Sequence, residues 1–448
     1  MKLSLFATAL LGLAPALVLP TQAAIVVPGA NGTDGALNIT EDTVVDLSKA
    51  TTGTWNQNNS ANAGNGVYDP DKWAVVFKYT SVNVVAGKKL TFKNHATRAP
   101  VVWLVSGNVT IAGTVDLSGE SVSSRFHPEE NPLGGKACEP GPGGFRGGSG
   151  FRGGNIWPAA GMGPGGGRSR GDWWSGSSGG GYGVDAPAYE GWLAGGKKYG
   201  NPSLVPLIGG SGAGGTKWNL YGMPGGAGGG AILVASSGKI SFINGSRLIA
   251  LGGNGGWNSG GGSGGGLRLV CDELVGEGNV SAAGGTADSA SGSGGSGRIR
   301  LERVVNTAVL NINPAPSTID LVSGATALIW PPENSPEARI VAVNGIAPAA
   351  DPKASFGAYS PDVALPLVSG VNVIVETLNV EKAASVIVRA TPRNGMVVAP
   401  DTDAVTNAAE VNATIKEVVS ETPLKLRWEA TVPTLPGYSA LQARIVRP

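Results

Sequence analysis

The feature that most constrains this chain is its glycine-dense middle, roughly residues 134–297, which holds about three quarters of the 73 glycines. It reads in part GPGGFRGGSGFRGG and GGAGGGAILVASSGKI. Glycine has no side chain to bury and loses the most backbone freedom on folding, so such a tract is either disordered or packed backbone against backbone. Short β-type apolar bursts interrupt these tracts and decide for order.

The bursts repeat. Ala231-Ile232-Leu233-Val234 follows a glycine run and leads through Gly238-Lys239-Ile240 and Asn244-Gly245 to Leu251-Gly252-Gly253. Leu267-Arg268-Leu269-Val270 leads likewise through Leu274 and Glu277-Gly278 to Ala283-Gly284-Gly285, and Arg298-Ile299-Arg300-Leu301 opens a third copy. An earlier copy runs from Val101 to Gly119. The period is roughly 31 to 36 residues. That length suits a unit of three short strands with turns at glycine or asparagine, which buries its apolar face only by stacking on its neighbours. The expected fold is therefore all-β, with a right-handed parallel β-helix over residues 24–310.

An insertion over about 120–230 interrupts the repeat. It carries Trp157, Trp173, Trp174, Tyr182, Tyr189, Trp192, Tyr199, Trp218 and Tyr221. Disordered glycine linkers lack such aromatics, so the insertion is expected to be ordered, with extended glycine tracts bonded side by side through their amides. The indoles Trp157, Trp173, Trp174, Trp192 and Trp218 are carbohydrate-binding candidates if their faces are exposed; burial against the solenoid wall is the competing reading.

The flanks complete the plan. Residues 1–23 have Lys2, an apolar run from Leu5 to Leu19 and a Thr21-Gln22-Ala23 site, the pattern of a secretory signal peptide, so the mature chain is expected outside the cell. No later run is long enough for a transmembrane helix. Prolines between 311 and 337 mark a stiff linker, and 338–448 alternate in a two-residue period that predicts an immunoglobulin-like β-sandwich with Trp428 in its core. Cys138 and Cys271 could form one disulfide in an oxidising compartment, while Cys271, within an apolar burst, also reads as a simple buried residue.

With that layout in place a resemblance can be stated. Phe77-Lys78-Tyr79-Thr80, Ala99-Pro100-Val101-Val102-Trp103-Leu104, Pro140-Gly141-Pro142-Gly143-Gly144-Phe145-Arg146-Gly147-Gly148 and Gly294 to Leu301 resemble a group of uncharacterised exported, glycine-rich, β-solenoid-type proteins of environmental Gram-negative bacteria. The glycine tracts are also similar in character, through composition, to the polyglycine domains of phage adhesins. The resemblance implies a surface or extracellular role and supplies no catalytic residue.

The chain itself offers little chemistry. Its net charge is +1 with 15% charged residues, which removes the electrostatic case for nucleic acid. The Arg-Gly-Gly pattern at Arg146 and Arg152 is one seen in RNA-binding tails, but those are dense in arginine and this chain is nearly neutral, and the run from Gly209 to Lys217 lacks the ending of a phosphate loop. The two histidines, His95 and His127, sit near no serine elbow, and with two cysteines they miss every zinc spacing; no metal or cofactor is expected. Asp69-Pro70-Asp71 and Asp401-Thr402-Asp403 could touch calcium but read as water-facing turns. Asp46, Asp116, Arg268, Asp272, Glu273, Arg298, Arg300 and Glu302 could line a lyase or glycosidase wall. The alternation of Arg298, Arg300 and Glu302 with Ile299 and Leu301 instead predicts solvated wall residues.

The reading is thus an exported, non-enzymatic structural or adhesive protein, assembling with itself into filaments or a layer. Its alternative is a polysaccharide-binding or polysaccharide-cleaving β-helix, with extracellular polysaccharide as partner.

Overall fold

The computed structural model describes residues 23–447 apart from 59, 123–136, 152–156, 170–175, 191–192, 218–221, 288–291, 354–360, 367, 369, 396–407 and 435–436. The described chain is all-β. Its larger sheet has fifteen strands: β1 (Ala36–Ile39), β2 (Thr43–Asp46), β3 (Thr51–Thr52), β4 (Val67–Asp69), β5 (Ala74–Tyr79), β6 (Ser81–Val84), β7 (Lys89–Lys93), β8 (Val101–Val105), β9 (Val109–Ile111), β10 (Thr114–Asp116), β11 (Ala231–Ile249), β12 (Gly266–Ser281), β13 (Arg298–Asn306), β14 (Val309–Asn313) and β15 (Ser317–Asp320).

Pairing sorts these strands into three parallel ladders. The first runs from β1 through β6 and β9 to Ile240–Phe242 of β11 and Leu274–Gly276 of β12. The second runs from β2 through β7, β10, Arg247–Ile249 and Gly278–Ser281 to β14. The third runs from β5 through β8, the first halves of β11 and β12, and β13 to β15. The chain turns from first to second ladder at Gly245 and Gly276, each at φ +88°, where a Cβ would be strained.

Alternate side chains of all three ladders meet in one core that includes Val84, Leu90, Trp103, Ile111, Val115, Val234, Leu248, Leu269 and Val280. The third ladder is buried on both faces along β5, β8 and the first halves of β11 and β12. Its outer residues Val76, Val102, Leu104, Leu233 and Val270 are covered by Ile25, Val27, Ala327 and Ile329, so its strands read as continuous apolar runs such as Val101–Val105. Cys271 lies in the main core and Cys138 in a separate small cluster with Val122, Met223 and Ala227; both are free, buried thiols. Burial pushes the Cys271 thiol up to about 12.

The second sheet is antiparallel, with six strands in the order β16-β17-β20-β19-β18-β21. These are β16 (Glu337–Val343), β17 (Gly370–Leu378), β18 (Ser385–Pro392), β19 (Ala409–Glu421), β20 (Leu424–Pro433) and β21 (Ser439–Val446). β19 pairs with β18 along its first residues and with β20 along the rest. Val373, Val375, Val386, Val388, Leu426 and Val432 form its core. Trp428 is part of that core, and its indole N–H donates to Thr377 Oγ1 at 2.8 Å. No helix among the described residues is long and apolar enough to cross a membrane.

Candidate functional site: the glycine lattice and the paired wall

The tracts between the ladders do not form a sheet. Gly225 and Gly228 donate their N–H groups to Gly148 and Phe145 of one neighbouring tract, Gly226 and Gly229 to Gly260 and Ser263 of a second, and Ala227 and Gly230 to Glu120 and Leu117 of a third. The same neighbour returns every third residue. That is the signature of the extended polyproline-type helix, which has three residues per turn and no internal hydrogen bond, so its amides point outward in three directions. Phe145, Gly148 and Phe151 donate in the same rhythm to Gly210, Ala213 and Thr216, and Gly210, Ala213 and Thr216 to Gly229, Gly226 and Met223.

The result is a lattice of tracts rather than paired strands. It extends the expected side-by-side bonding to three directions, because a strand's amides alternate in one plane and these do not. The lattice also reaches beyond the insertion. The stretches 250–265 and 282–297, which link β11 to β12 and β12 to β13, bond into it: Gly262 to Gly253, Gly285 to Gly262, Gly294 to Gly285 and Gly295 to Gly180.

Glycine is required here by contact. A Cβ at Gly228 would overlap the Gly210 carbonyl, one at Gly262 the Ala227 carbonyl and one at Gly294 the Gly262 carbonyl. The few side chains admitted are small: Ala159, Ala160, Ala213 and Ala227 are fully buried. Buried serines substitute hydroxyls for amides. Ser169 Oγ donates to Gly215 O at 2.7 Å, and Ser263 Oγ accepts from Ser211 N at 2.8 Å.

A charged group of the second sheet is buried against the lattice, as Lys217 is within the tracts themselves. Arg389 of β18 is 7% exposed; its Nη2 donates to Gly161 O at 3.3 Å and Gly166 O at 3.2 Å, while Nη1 pairs with Glu410 at 2.8 Å. Burial alone would raise the Glu410 carboxyl, but Arg389 and Arg444 hold it below its usual range. Nearby, Gly395 N bonds to Trp157 O at 3.0 Å, and Ser149 Oγ to Arg393 O at 3.0 Å. The second sheet is thereby tied to the lattice, a contact that linear spacing could not reveal.

The wall residues are engaged with one another. Asp116 pairs with Lys89 at 2.7 Å and Asp46 with Lys93 at 2.9 Å, one rung apart in each case. Burial would raise Asp116, yet its hydrogen bonds with Lys89 and Ser118 hold it low; Asp46, bonded by Ser48 and Lys93, falls to about 2. Glu273 pairs with Lys239. The expectation of solvated positions fails for the third ladder. Arg268, Arg300 and Glu302 are buried, with Arg268 Nε and Arg300 Nε at 2.9 and 3.1 Å from Glu302 Oε1. Arg268 also donates to Leu328 O at 2.6 Å, and Arg298 to Tyr199 O at 2.8 Å. The cause is the covering layer: alternation marks which face a side chain points from, not whether water lies there.

The remaining sequence candidates are placed as follows. Trp157 is half-buried, with Lys217 Nζ at 3.7 Å from its ring centroid and Phe151 stacked obliquely at 5.4 Å, so one ring face is occupied by a cation. Trp173, Trp174, Trp192, Trp218, His127 and Asp401–Asp403 lie outside the described residues. Asp69 does not face water: it is buried and accepts from Trp55 N, Asp71 N and Lys72 N, stapling its own turn. His95 stacks on Tyr68 at 4.2 Å, and Tyr68 donates to Asp351 at 2.7 Å.

The described residues contain no group of three or more His, Cys, Asp or Glu suited to a metal ion. An open cleft at the corner of the first and second ladders is lined by Asn244, Arg247, Glu277, Asn279 and Asn311. Trp257, absent from the sequence candidates, is 52% exposed at the bend between 250–255 and 259–265. No protein-family model, no curated protein and no solved structure matches the chain.

Proposed function

We propose that this protein is an exported, non-enzymatic scaffold, a structural or adhesive element of the cell surface or extracellular matrix. In this reading the three ladders are a right-handed parallel β-helix and the second sheet is an immunoglobulin-like β-sandwich. The pairing of Ala231 with Gly266 and of Gly266 with Arg298 supports the first, as rungs of one coil. The sharing of β19 between two pairing surfaces supports the second.

The observation that carries the functional reading is the lattice. A mass of backbone in which amides are consumed in three directions opens only with many hydrogen bonds at once, so it resists proteolysis and exchange. Such a body suits a durable spacer outside the cell. Deleting the gene in the producing organism tests this: surface attachment or matrix cohesion should fall. A strain that keeps both and loses a polysaccharide-cleaving activity would overturn it.

A second reading, polysaccharide binding, is favoured by the corner cleft. Amide and charged side chains on successive rungs, at Arg247, Asn279 and Asn311, present hydrogen-bonding groups in a row suited to sugar hydroxyls. Retention on immobilised polysaccharides, lost on Arg247→Ala, would select it.

A further inference from the structure

The pairing of β11 with β12 is interrupted where the coil turns from the first ladder to the second. Phe242 pairs with Gly276 and Ser246 with Gly278, so Ile243, Asn244 and Gly245 on one strand stand against Glu277 alone on the next. The surplus residues bulge out from the wall and are exposed. With Arg247 they form one side of the corner cleft, Glu277 to Asn279 lie along its middle, and Val309 to Asn311 close the other side.

The polar side chains of this cleft are not used by the chain itself. Every other lysine and arginine on β1 to β15 is engaged internally: Lys89 by Asp116, Lys93 by Asp46, Lys239 by Glu273, and those of the third ladder by carboxylates or backbone carbonyls. Arg247 is exposed, and among the described residues its guanidinium has neither an ion pair nor a hydrogen bond; Glu277 likewise has no cation. Asn38 and Asn83 on the first ladder bond to each other at 2.8 Å, whereas the carboxamides of Asn244, Asn279 and Asn311 find no partner among the described residues. Arg247, Asn279 and Asn311 stand in register on three successive rungs. A single exposed arginine is ordinary. This one shares a cleft with four other polar side chains that have no partner, on a wall whose charges are otherwise paired.

We infer that the cleft binds an acidic polysaccharide lying along the coil axis, with a sugar carboxylate on Arg247 and the neighbouring sugars on Asn279 and Asn311. This rests on the polysaccharide reading of the cleft and names the class of polymer. A planar guanidinium takes a carboxylate through two parallel N–H donors. A carboxamide both donates and accepts, so it answers either role of a sugar hydroxyl. Successive rungs are about 4.8 Å apart, a step comparable to one sugar of an extended chain, so the three side chains meet consecutive sugars. The charges set the density of acid along the polymer. One free cation in three rungs, with Glu277 beside it, disfavours a polymer acidic at every sugar and selects one in which an acidic sugar recurs among neutral ones. The row continues in the same sparse pattern through Thr114 to Lys89, which Asp116 already neutralises.

Affinities of the purified chain for gellan (acidic at one sugar of each repeat), polygalacturonate (acidic at every sugar) and neutral dextran test the inference. Gellan should bind most tightly, and less so as salt is added. Arg247→Gln should lower the affinity for gellan about tenfold or more, as expected for losing a hydrogen bond to a charged group, with the melting temperature unchanged because the side chain has no internal partner. Lys93→Gln, which removes a cation already paired with Asp46, should leave binding as it is. Equal binding of dextran and gellan would overturn the acidic class and leave the polysaccharide reading standing. Tighter binding of polygalacturonate would overturn the spacing of charge, and gellan binding indifferent to Arg247→Gln, or weakened equally by Lys93→Gln, would overturn the site. Failure of all three polymers to bind would overturn the inference and the polysaccharide reading together.

Discussion

The ladder core and the glycine lattice are two solutions to the same problem, placing backbone in the interior without leaving amides unpaired. In the ladders the amides bond within the sheet, and the space between strands is filled by Val84, Leu90, Trp103, Leu248 and Leu269. In the lattice there is almost nothing to fill, because the tracts sit so close that the neighbouring carbonyl occupies the site of a Cβ. The first solution gains apolar burial and tolerates some loss of volume. The second gains only hydrogen bonds, each worth about 1 kcal/mol net, and orders the residue that loses most freedom. The lattice therefore needs a template. The ladders supply it where strands run on into tracts, as at Leu117, Ala250 and Ala282, whose backbones are already fixed.

The contrast predicts opposite responses to substitution. Gly228→Val adds volume where only backbone can yield, and its cost should exceed the roughly 3 kcal/mol typical of an overpacked core, so that little folded protein accumulates. Leu248→Ala removes volume from the ladder core and should cost about 2–5 kcal/mol while leaving a foldable chain. Thermal melts of the two variants followed by circular dichroism compare them directly. A Gly228→Val protein that melts above Leu248→Ala would remove the claim that the lattice has no slack.

Next in size is the joint between the regions. Arg389→Ala leaves the Gly161 and Gly166 carbonyls and the Glu410 carboxylate short of a partner, a loss of about 1–3 kcal/mol. If the contact is local, hydrogen exchange should rise around 161–166 and in β18 while the ladder core is unchanged. Uniform protection in the variant would mean that the two regions hold together by other contacts.

How much of this was legible beforehand follows from what each signal measures. The repeat from Ala231 to Leu301 located the third ladder, because strands buried on both faces leave unbroken apolar runs. β19 escaped notice although Ala409 to Lys416 alternates apolar with polar residues: its apolar members are two alanines, a valine and an isoleucine, a weaker signal than the Val/Ile-rich runs of its neighbours. A different limit misplaced Arg300 and Glu302. Their spacing told correctly which side of the strand they leave from, but the layer over them comes from residues 25–27 and 327–329, distant in sequence. Glycine content announced close backbone contact at 225–230, yet the threefold direction of bonding is a property of the neighbours. No residue pattern in a tract of glycines records it.

The smallest effect concerns the wall pairs, and it separates a paired structural surface from a catalytic one. Asp116 and Asp46 have folded values below those of unfolded aspartate, near 4. A depressed carboxyl stabilises the folded state fully above its unfolded value and loses that contribution as pH falls through its folded value. Their contribution should thus be constant from neutrality to about pH 4 and decline toward pH 2, where Asp46 titrates, separate from the earlier loss below about pH 6.5 that the half-buried His95, held below its usual value by burial, brings. Asp116→Asn should lower neutral stability by less than about 1 kcal/mol, since Lys89 is half-exposed and the pair is screened. It should also flatten part of the acid decline. Acid titrations of both proteins by intrinsic fluorescence read the two slopes. If Asp116→Asn keeps the full decline, the depression belongs to other carboxylates; if it abolishes cleavage of a polysaccharide while leaving the slope intact, the wall is a catalytic surface.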